Sequence, residues 1–115
     1  MNVSFGGLDN VCATFAISGE VNAGDPVKVS ANGTVKTCAA GDAPLGFALD
    51  VRGGYASVLL RGYALVPYSG SVTVGWADIA ADGSGGVKAV TGSAASRKVA
   101  VLDVDETEDM AGILL

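Results

Sequence analysis

The 115-residue sequence contains no histidine. Histidine is the usual base of Ser-His-Asp and Cys-His catalytic groups and a common metal ligand, so its absence excludes these arrangements. Cysteine is also scarce, and two residues of this type, Cys12 and Cys38, make a zinc site improbable without histidine. In a reducing cytoplasm both would be small buried hydrophobic residues on strands. We favour free thiols over a disulfide, whose geometry a sequence does not reveal.

Positive charge is scarce and dispersed. The chain has 7 basic and 12 acidic residues, for a net charge of −5, and the basic ones are scattered: Lys28, Lys36, Arg52, Arg61, Lys88, Arg97 and Lys98. Nucleic-acid binding needs a concentrated positive surface, and anionic lipid repels an acidic one. No apolar run is long enough to span a bilayer, and the first residues lack a signal-peptide pattern. We therefore expect no nucleic-acid partner, no membrane partner and synthesis in a cytoplasm.

Three segments resemble chemical sites, and each has a simpler interpretation. Asp50 and Asp103 are a possible carboxylate pair, but this short chain has little material for a cleft, so we interpret each as an acid ending a strand. The acidic run 103–109 lacks the spacing of a calcium loop and is interpreted as a solvated hairpin tip. The glycine-rich segment 83–86 lacks the residues that follow a phosphate-binding loop and is interpreted as a connection between strands. We expect no enzyme activity and no cofactor.

Aromatic residues make up only 6% of the chain, although half of the residues are hydrophobic. A core must therefore be built from Val, Ala, Leu and Ile. The sequence has 17 glycines and only 3 prolines, with β-branched residues between the glycines. This composition is typical of many short strands joined by tight turns, and it is too apolar for a disordered chain.

An internal repeat is the most informative pattern in the sequence. Residues 13–24 (A-T-F-A-I-S-G-E-V-N-A-G) align without a gap with residues 64–75 (A-L-V-P-Y-S-G-S-V-T-V-G). Further matches keep the same order: 29–36 with 79–88, which aligns Val29 with Ile79, then 45–51 with 98–104, and 58–60 with 113–115. Several matches in one order indicate a duplication.

Each copy of the repeat predicts four or five short strands. Asn32-Gly33 is a strong signal for a two-residue hairpin, and Arg52-Gly53-Gly54 predicts another turn. So small a unit is not expected to bury its apolar face alone. We therefore predict an all-β fold, a small β-barrel or sandwich made of two tandem repeats of short antiparallel strands that face one another. The halves would be about 11–60 and 62–115, within a single domain spanning 11–115.

Residues 1–10 lie outside the repeat and are predicted to form an extended N-terminal arm. Gly6-Gly7 lets this arm bend freely, and the apolar residues Val3, Phe5 and Leu8 stand around it. Apolar side chains on an arm without a strand partner gain nothing unless they dock on this chain or another. We therefore predict that Val3, Phe5 and Leu8 bind a partner.

Trp76 is the only tryptophan, and it stands where the first copy has Asp25. A barrel end often takes a large side chain, so a core position is the favoured prediction. A binding interface is the alternative, because tryptophan is enriched in binding hot spots.

Four turn-and-strand motifs follow one another in a distinctive order. They are 21–29 (V-N-A-G-D-P-V-K-V), 32–36 (N-G-T-V-K), 43–49 (A-P-L-G-F-A-L) and 58–67 (V-L-L-R-G-Y-A-L-V-P). Their order resembles that of the small bacteriophage capsid cement, or head decoration, proteins, over nearly the whole chain from the first repeat onward. The second copy departs from the family pattern at Trp76-Ala77 and at 97–101 (R-K-V-A-V), where the motif P-x-G-x-A is degraded.

The resemblance implies a structural virion protein on the exterior of a phage capsid. Such a protein bridges subunits of the major capsid protein and so stabilises the shell. The resemblance also implies a homo-oligomer, often a trimer at local three-fold positions. The alternative that the residues leave open is a non-enzymatic β-barrel binding or adhesion module of a fibre, spike or surface assembly.

Overall fold

The computed structural model describes residues 11–91 and 95–115. Over these residues it contains ten strands and no helix, which confirms the all-β prediction. The strands are β1 (Val11–Ile17), β2 (Pro26–Ala31), β3 (Thr34–Thr37), β4 (Gly46–Arg52), β5 (Tyr55–Arg61), β6 (Tyr63–Ser69), β7 (Gly75–Ala81), β8 (Val87–Ala89), β9 (Arg97–Asp105) and β10 (Met110–Leu114). The arm predicted at 1–10 lies outside the described residues.

The strands form two closed five-stranded barrels, one from each copy of the repeat. Around the first barrel the order is β1-β3-β2-β4-β5, and around the second it is β6-β8-β7-β9-β10. The two orders are the same when the strands are numbered along each copy, as two tandem repeats require. The expectation that the copies face one another to close one shared barrel is wrong, because each copy closes its own sheet.

Small side chains explain why one copy is sufficient for closure. A barrel of five strands has a narrow interior, which short aliphatic side chains can fill. The buried cluster of the first barrel contains only valine and alanine: Val21, Val27, Val35, Ala48, Ala56 and Val58. The second barrel buries Val66, Val72, Ile79, Val87, Val99, Val101, Ala111 and Ile113. Each buried valine or isoleucine contributes about 1.5–3 kcal/mol by leaving water, so each copy has a core of its own.

One neighbouring pair in each barrel is parallel, which the prediction of antiparallel strands did not include. The parallel pairs are β1–β3 and β6–β8, and the remaining pairs are antiparallel. Antiparallel pairing reverses the strand direction at each step, so a ring with an odd number of strands must contain a parallel pair. The exception therefore follows from closing a ring of five.

Strand register tests the alignment of the two copies residue by residue. The β4–β5 and β9–β10 pairs both contain a bulge, and it lies at Leu49 in one copy and at Leu102 in the other, which the sequence had aligned. One alignment was wrong: relative to β3 and β8, Ile79 takes the place of Val27, because Ala81 pairs with Val87 as Val29 pairs with Val35. Ile79 and Val27 are fully buried, whereas Val29 is 58% exposed.

An apolar residue and an arginine join the two barrels. Ala48 faces the interior of the first barrel, so its neighbour Phe47 points outward, where it packs with the buried cluster of the second barrel. The Arg97 guanidinium, at the start of β9, donates hydrogen bonds to the carbonyl oxygens of Leu45 and of Leu60, the second at 2.9 Å.

The main chain completes this junction. The Gly41 N–H donates to the Ala81 carbonyl oxygen at 2.9 Å, and the Ala81 N–H donates to the Asp42 carbonyl oxygen at 2.8 Å. Gly83 lies directly against Ala40. We call the junction of 40–47 and Leu60 with Ala81, Gly83 and Arg97 the inter-barrel contact.

Candidate binding surface

The acidic run 103–109 forms the end of β9 and the turn into β10. The Asp105 carboxylate oxygen accepts hydrogen bonds from the N–H groups of Thr107 (3.0 Å) and Glu108 (3.2 Å), and the side chains from Asp105 to Asp109 are exposed. Among the described residues, no three acidic, cysteine or histidine side chains are grouped so as to hold a metal ion. The interpretation of this run as a solvated hairpin tip is confirmed.

The glycine-rich segment 83–86 is the loop between β7 and β8, as interpreted from the sequence. One Asp82 carboxylate oxygen accepts from the N–H groups of Ser84 (2.7 Å) and Gly86 (3.1 Å), and the other accepts from the Ser69 hydroxyl (2.6 Å). Partial burial acts to raise the pKa of Asp82, but these hydrogen bonds together lower it below its ordinary value. Asp82 therefore serves as a structural anion that shapes the loop.

Asp50 and Asp103 occupy equivalent positions beside the two bulges, on different barrels. Both are exposed, and Asp50 forms an ion pair with Arg52 at 3.0 Å. They lie within β4 and β9 rather than at the strand ends, so that detail of the prediction is wrong.

The two cysteines are free and differ in environment. Cys38 is buried, and burial raises the pKa of its thiol to about 11. Cys12 is exposed on β1, so its prediction as a buried residue is wrong.

Lys28 and Asp42 form an ion pair of 2.6 Å that the sequence analysis missed. Asp42 also accepts a hydrogen bond from the Ala39 N–H at 2.9 Å. The bond from Lys28 has the largest effect on the pKa of the Asp42 carboxyl, and both bonds lower that pKa. The ion pair holds segment 41–42 in place, and the main chain of this segment forms hydrogen bonds with Ala81. No sequence signal identifies it, because 14 residues separate the partners.

Trp76 is 75% exposed, so the favoured prediction of a core position is wrong. It lies on β7 opposite Ala100 of β9, and both side chains face away from the barrel because their neighbours Ala77 and Val99 face the core. A narrow five-stranded interior has no space for an indole. Asp25, its aligned residue in the first copy, is polar, and that was the available signal for an exposed position.

Trp76 belongs to a row of outward-facing apolar residues that crosses four strands. The register places Ala100 opposite Trp76, Leu114 opposite Ala100, and Tyr63 opposite Leu114. The last three side chains are partly exposed. We call Tyr63, Trp76, Ala100 and Leu114 the outer apolar row.

The other predicted binding residues, Val3, Phe5 and Leu8, lie outside the described residues, and their role stays a prediction. In the part of the chain that is described, no helix has the length and apolar character needed to cross a membrane. Comparison with models of known protein families finds no match, and no curated protein sequence is significantly similar to this chain. Among the described residues, the outer apolar row is the strongest candidate for a binding surface, because its Trp76 side chain is large, apolar and 75% exposed.

Proposed function

We propose that this protein is a capsid decoration protein of a bacteriophage. In this role it binds the exterior of the assembled shell and bridges neighbouring subunits of the major capsid protein. The observation that carries the proposal is a body of two small closed barrels, joined by the inter-barrel contact, that presents a 75% exposed tryptophan on one outer face. The motifs that resemble decoration proteins support it, because they coincide with the turns and strands of the barrels.

The energetics suit a decoration protein. Closed sheets have no free strand edges, so many copies can be crowded on a particle without edge-to-edge aggregation. A protein that binds only the assembled shell stabilises it by mass action, even when each copy binds modestly. An exposed tryptophan is a suitable anchor, since it removes a large apolar area from water when a partner covers it.

The proposed arm supplies the second attachment. An extended segment can add a strand to the edge of a shell-protein sheet, where main-chain hydrogen bonds provide affinity. Phe5 and Leu8 would then fill shallow pockets on the shell protein or on a neighbouring copy. Burial of each such side chain is worth about 1.5–3 kcal/mol, or roughly tenfold in affinity or more.

Co-sedimentation with capsids tests the proposal. Purified protein is mixed with heads assembled from the shell protein of the same genome, and binding is measured against protein concentration. We expect saturable binding in a fixed ratio to the shell protein. Saturating protein that leaves the heads bare would contradict the proposal.

Substitutions in the arm separate its contribution from that of the barrels. We expect Phe5→Ser with Leu8→Ser to weaken attachment about tenfold or more while the thermal midpoint of the isolated protein stays nearly unchanged. Asn2→Ser with Asn10→Ser is the matched control and should bind as the wild type does. If the variant with Phe5→Ser and Leu8→Ser unfolds at a much lower temperature and still attaches normally, the arm belongs to the core.

A further inference from the structure

The outer face of the first barrel carries a shallow hollow beside the β4–β5 turn. Its volume is about 180 Å³, and it is lined by Thr14, Asp50, Arg52, Tyr55, Ala56 and Ser57. A cavity of about 150 Å³ can hold a benzene ring, so this hollow has space for one six-membered ring.

Three neighbouring strands bring the polar side chains of the hollow together. Ser57 of β5 lies between Thr14 of β1 and Asp50 of β4, and two positions away Tyr55 lies opposite Arg52. Side chains alternate between the two faces of a strand, and the residues next to these pack with the core of the barrel: Phe15, Val51 and Ala56. The five polar side chains therefore face outward.

The main chain fixes the shape of the hollow. Gly53 and Gly54 have positive φ values of 54° and 86°, and they form the two-residue turn that places Arg52 opposite Tyr55. The Gly54 carbonyl oxygen accepts a hydrogen bond from the Ile17 N–H at 3.1 Å, which ties the turn to β1. A preformed site loses little conformational entropy when a ligand binds.

The side chains of the hollow retain hydrogen-bonding capacity that the fold does not use. Arg52 Nε is paired with Asp50 Oδ2 at 3.0 Å, which leaves the guanidinium NH₂ groups and the other carboxylate oxygen available. Within the described residues, the hydroxyl groups of Thr14, Tyr55 and Ser57 have no hydrogen-bond partner. Tyr55 is also 59% exposed.

The second barrel has the same scaffold without this set of side chains. The strand registers match each polar residue of the hollow with one residue of the second copy. In order along the chain, the counterparts of the five polar residues are Leu65, Asp103, Asp105, Met110 and Gly112. The second barrel therefore closes with leucine, methionine and glycine in place of three polar side chains. Barrel closure does not require the polar set, so its presence on the first barrel indicates binding of a ligand.

The corresponding place on the second barrel is also filled. A Cβ atom on Gly112 would clash with the phenol ring of Tyr63, so that ring lies over the strand at this point. In the first copy the residue aligned with Tyr63 is Cys12, which is too short to cover Ser57 in the same way. The hollow of the first barrel is open for this reason.

We propose that this hollow binds one neutral sugar ring of a glycan. The apolar C–H face of a pyranose packs on the aromatic face of Tyr55, as apolar groups do on tyrosine. The Asp50 carboxylate accepts hydrogen bonds from the sugar hydroxyl groups, and the Arg52 guanidinium donates to their oxygen atoms.

Charge favours a neutral sugar over an acidic one. The ion pair of Asp50 with Arg52 has no net charge, and the chain as a whole has a net charge of −5. The carboxylate of an acidic sugar, or the phosphate of a nucleotide, would meet no unpaired cation in the hollow. Asp50 is the only acid among the lining residues, so we infer binding without hydrolysis. This inference goes beyond the proposed function, because its ligand is not the shell protein.

Affinity electrophoresis of the full chain tests the inference. The gels contain one neutral hexose polymer each, dextran, mannan or galactan, and mobility is compared with that in a plain gel. We expect at least one polymer to retard the wild type, and Tyr55→Ala and Asp50→Asn each to weaken this binding about tenfold or more. Met110→Ala and Asp103→Asn are the matched controls at the corresponding positions of the second barrel, and they should be retarded as the wild type is. Circular dichroism verifies that each variant is folded.

An NMR titration of the ¹⁵N-labelled wild type locates the site without any substitution. The probe is the methyl glycoside of the sugar whose polymer retards the protein. We expect saturable shifts of the amide signals at 14 and 50–57, with a Kd of about 1 mM. The corresponding uronic acid should bind at least about tenfold more weakly, because its carboxylate finds no unpaired cation.

Four results would overturn the inference. They are a wild type that no polymer retards, equal losses in Tyr55→Ala and Met110→Ala, shifts confined to the second barrel, and tighter binding of the uronic acid. Capsids are absent from these experiments, so such a result would leave the decoration proposal to be judged by co-sedimentation.

Discussion

Side-chain size at individual positions decides which residues lie inside the barrels and which outside. The fully buried cluster of the first barrel is made of valine and alanine, whereas Phe47 and Trp76 stand on outer faces. Polar side chains stabilise the loops. The clearest case is Asp82, whose carboxylate accepts three hydrogen bonds around the β7–β8 loop.

Replacement of Asp82 tests that role. We expect Asp82→Ala to lower the free energy of unfolding by about 1–2 kcal/mol at neutral pH, because the loop N–H groups lose their acceptor. The folded protein has a lowered pKa at Asp82, so this stabilisation is present above the unfolded pKa and is lost as the pH falls through the folded one. Urea unfolding at neutral pH and below about pH 4 should show the difference between variant and wild type shrinking in acid. Glu20→Gln, at an exposed site, is the control, and an Asp82→Ala variant as stable as this control would contradict the assignment.

Thiol reactivity tests the environments of the cysteines. We expect Cys12 to react with a thiol reagent in the native protein and Cys38 to react only after unfolding, because Cys38 is buried and its pKa is raised to about 11. Cys12→Ser should abolish the fast reaction. Two thiols that react equally fast in the native protein would show that the first barrel is open.

At the scale of strands and hairpins, local signals in the sequence were reliable and pairing between distant segments was not. Asn32-Gly33 does form the two-residue loop between β2 and β3, and the Leu49 and Leu102 bulges follow the aligned repeat. The parallel β1–β3 pair was missed, because it is a consequence of ring closure and not of any local pattern. The place of Ile79 was misassigned by two residues, since apolar residues on one strand face recur every second position.

The site was less predictable than the fold. Exposure of Trp76 depends on the diameter of a closed barrel, which only the complete strand order defines. The ion pair of Lys28 with Asp42 and the bonds of Arg97 bring together residues far apart in the chain, with no motif to mark them.

A close approach between β4 and β5 gives a prediction at this scale. A Cβ atom on Gly46 would clash with the carbonyl oxygen of Leu59, which is main chain, whereas a Cβ on Gly112 would meet the movable side chain of Tyr63. We expect Gly46→Ala to lower the free energy of unfolding by about 1–3 kcal/mol or more, and by more than Gly112→Ala does. Chemical unfolding of the two variants provides the comparison, and equal losses would contradict the packing described.

At the scale of the whole molecule, the duplication gives each copy a core of its own. Phe47 and Arg97 connect the barrels, so the cooperativity of unfolding depends on these side chains. Trp76, at the β7 end of the outer apolar row, stays 75% exposed.

Truncation of Phe47 tests the coupling of the barrels. We expect Phe47→Ala to lower the free energy of unfolding by about 3–5 kcal/mol and to separate the unfolding of the two barrels. In a Cys12→Ser background, fluorescence of Trp76 follows unfolding of the second barrel and labelling of Cys38 follows unfolding of the first, so the two urea midpoints should diverge in the variant. Leu49→Ala, at an exposed neighbouring position, should change stability by less than about 0.5 kcal/mol. Coincident midpoints in Phe47→Ala would show that other contacts hold the barrels together.

The most direct test of the decoration proposal is the thermal stability of the shell itself. Heads assembled without this protein are heated alone and with increasing amounts of the purified chain, and release of the shell subunits is followed by light scattering. The proposal predicts that the opening temperature rises with occupancy and levels off when the binding sites are full. Heads that bind the protein to saturation and still open at the temperature of bare heads would contradict a stabilising role.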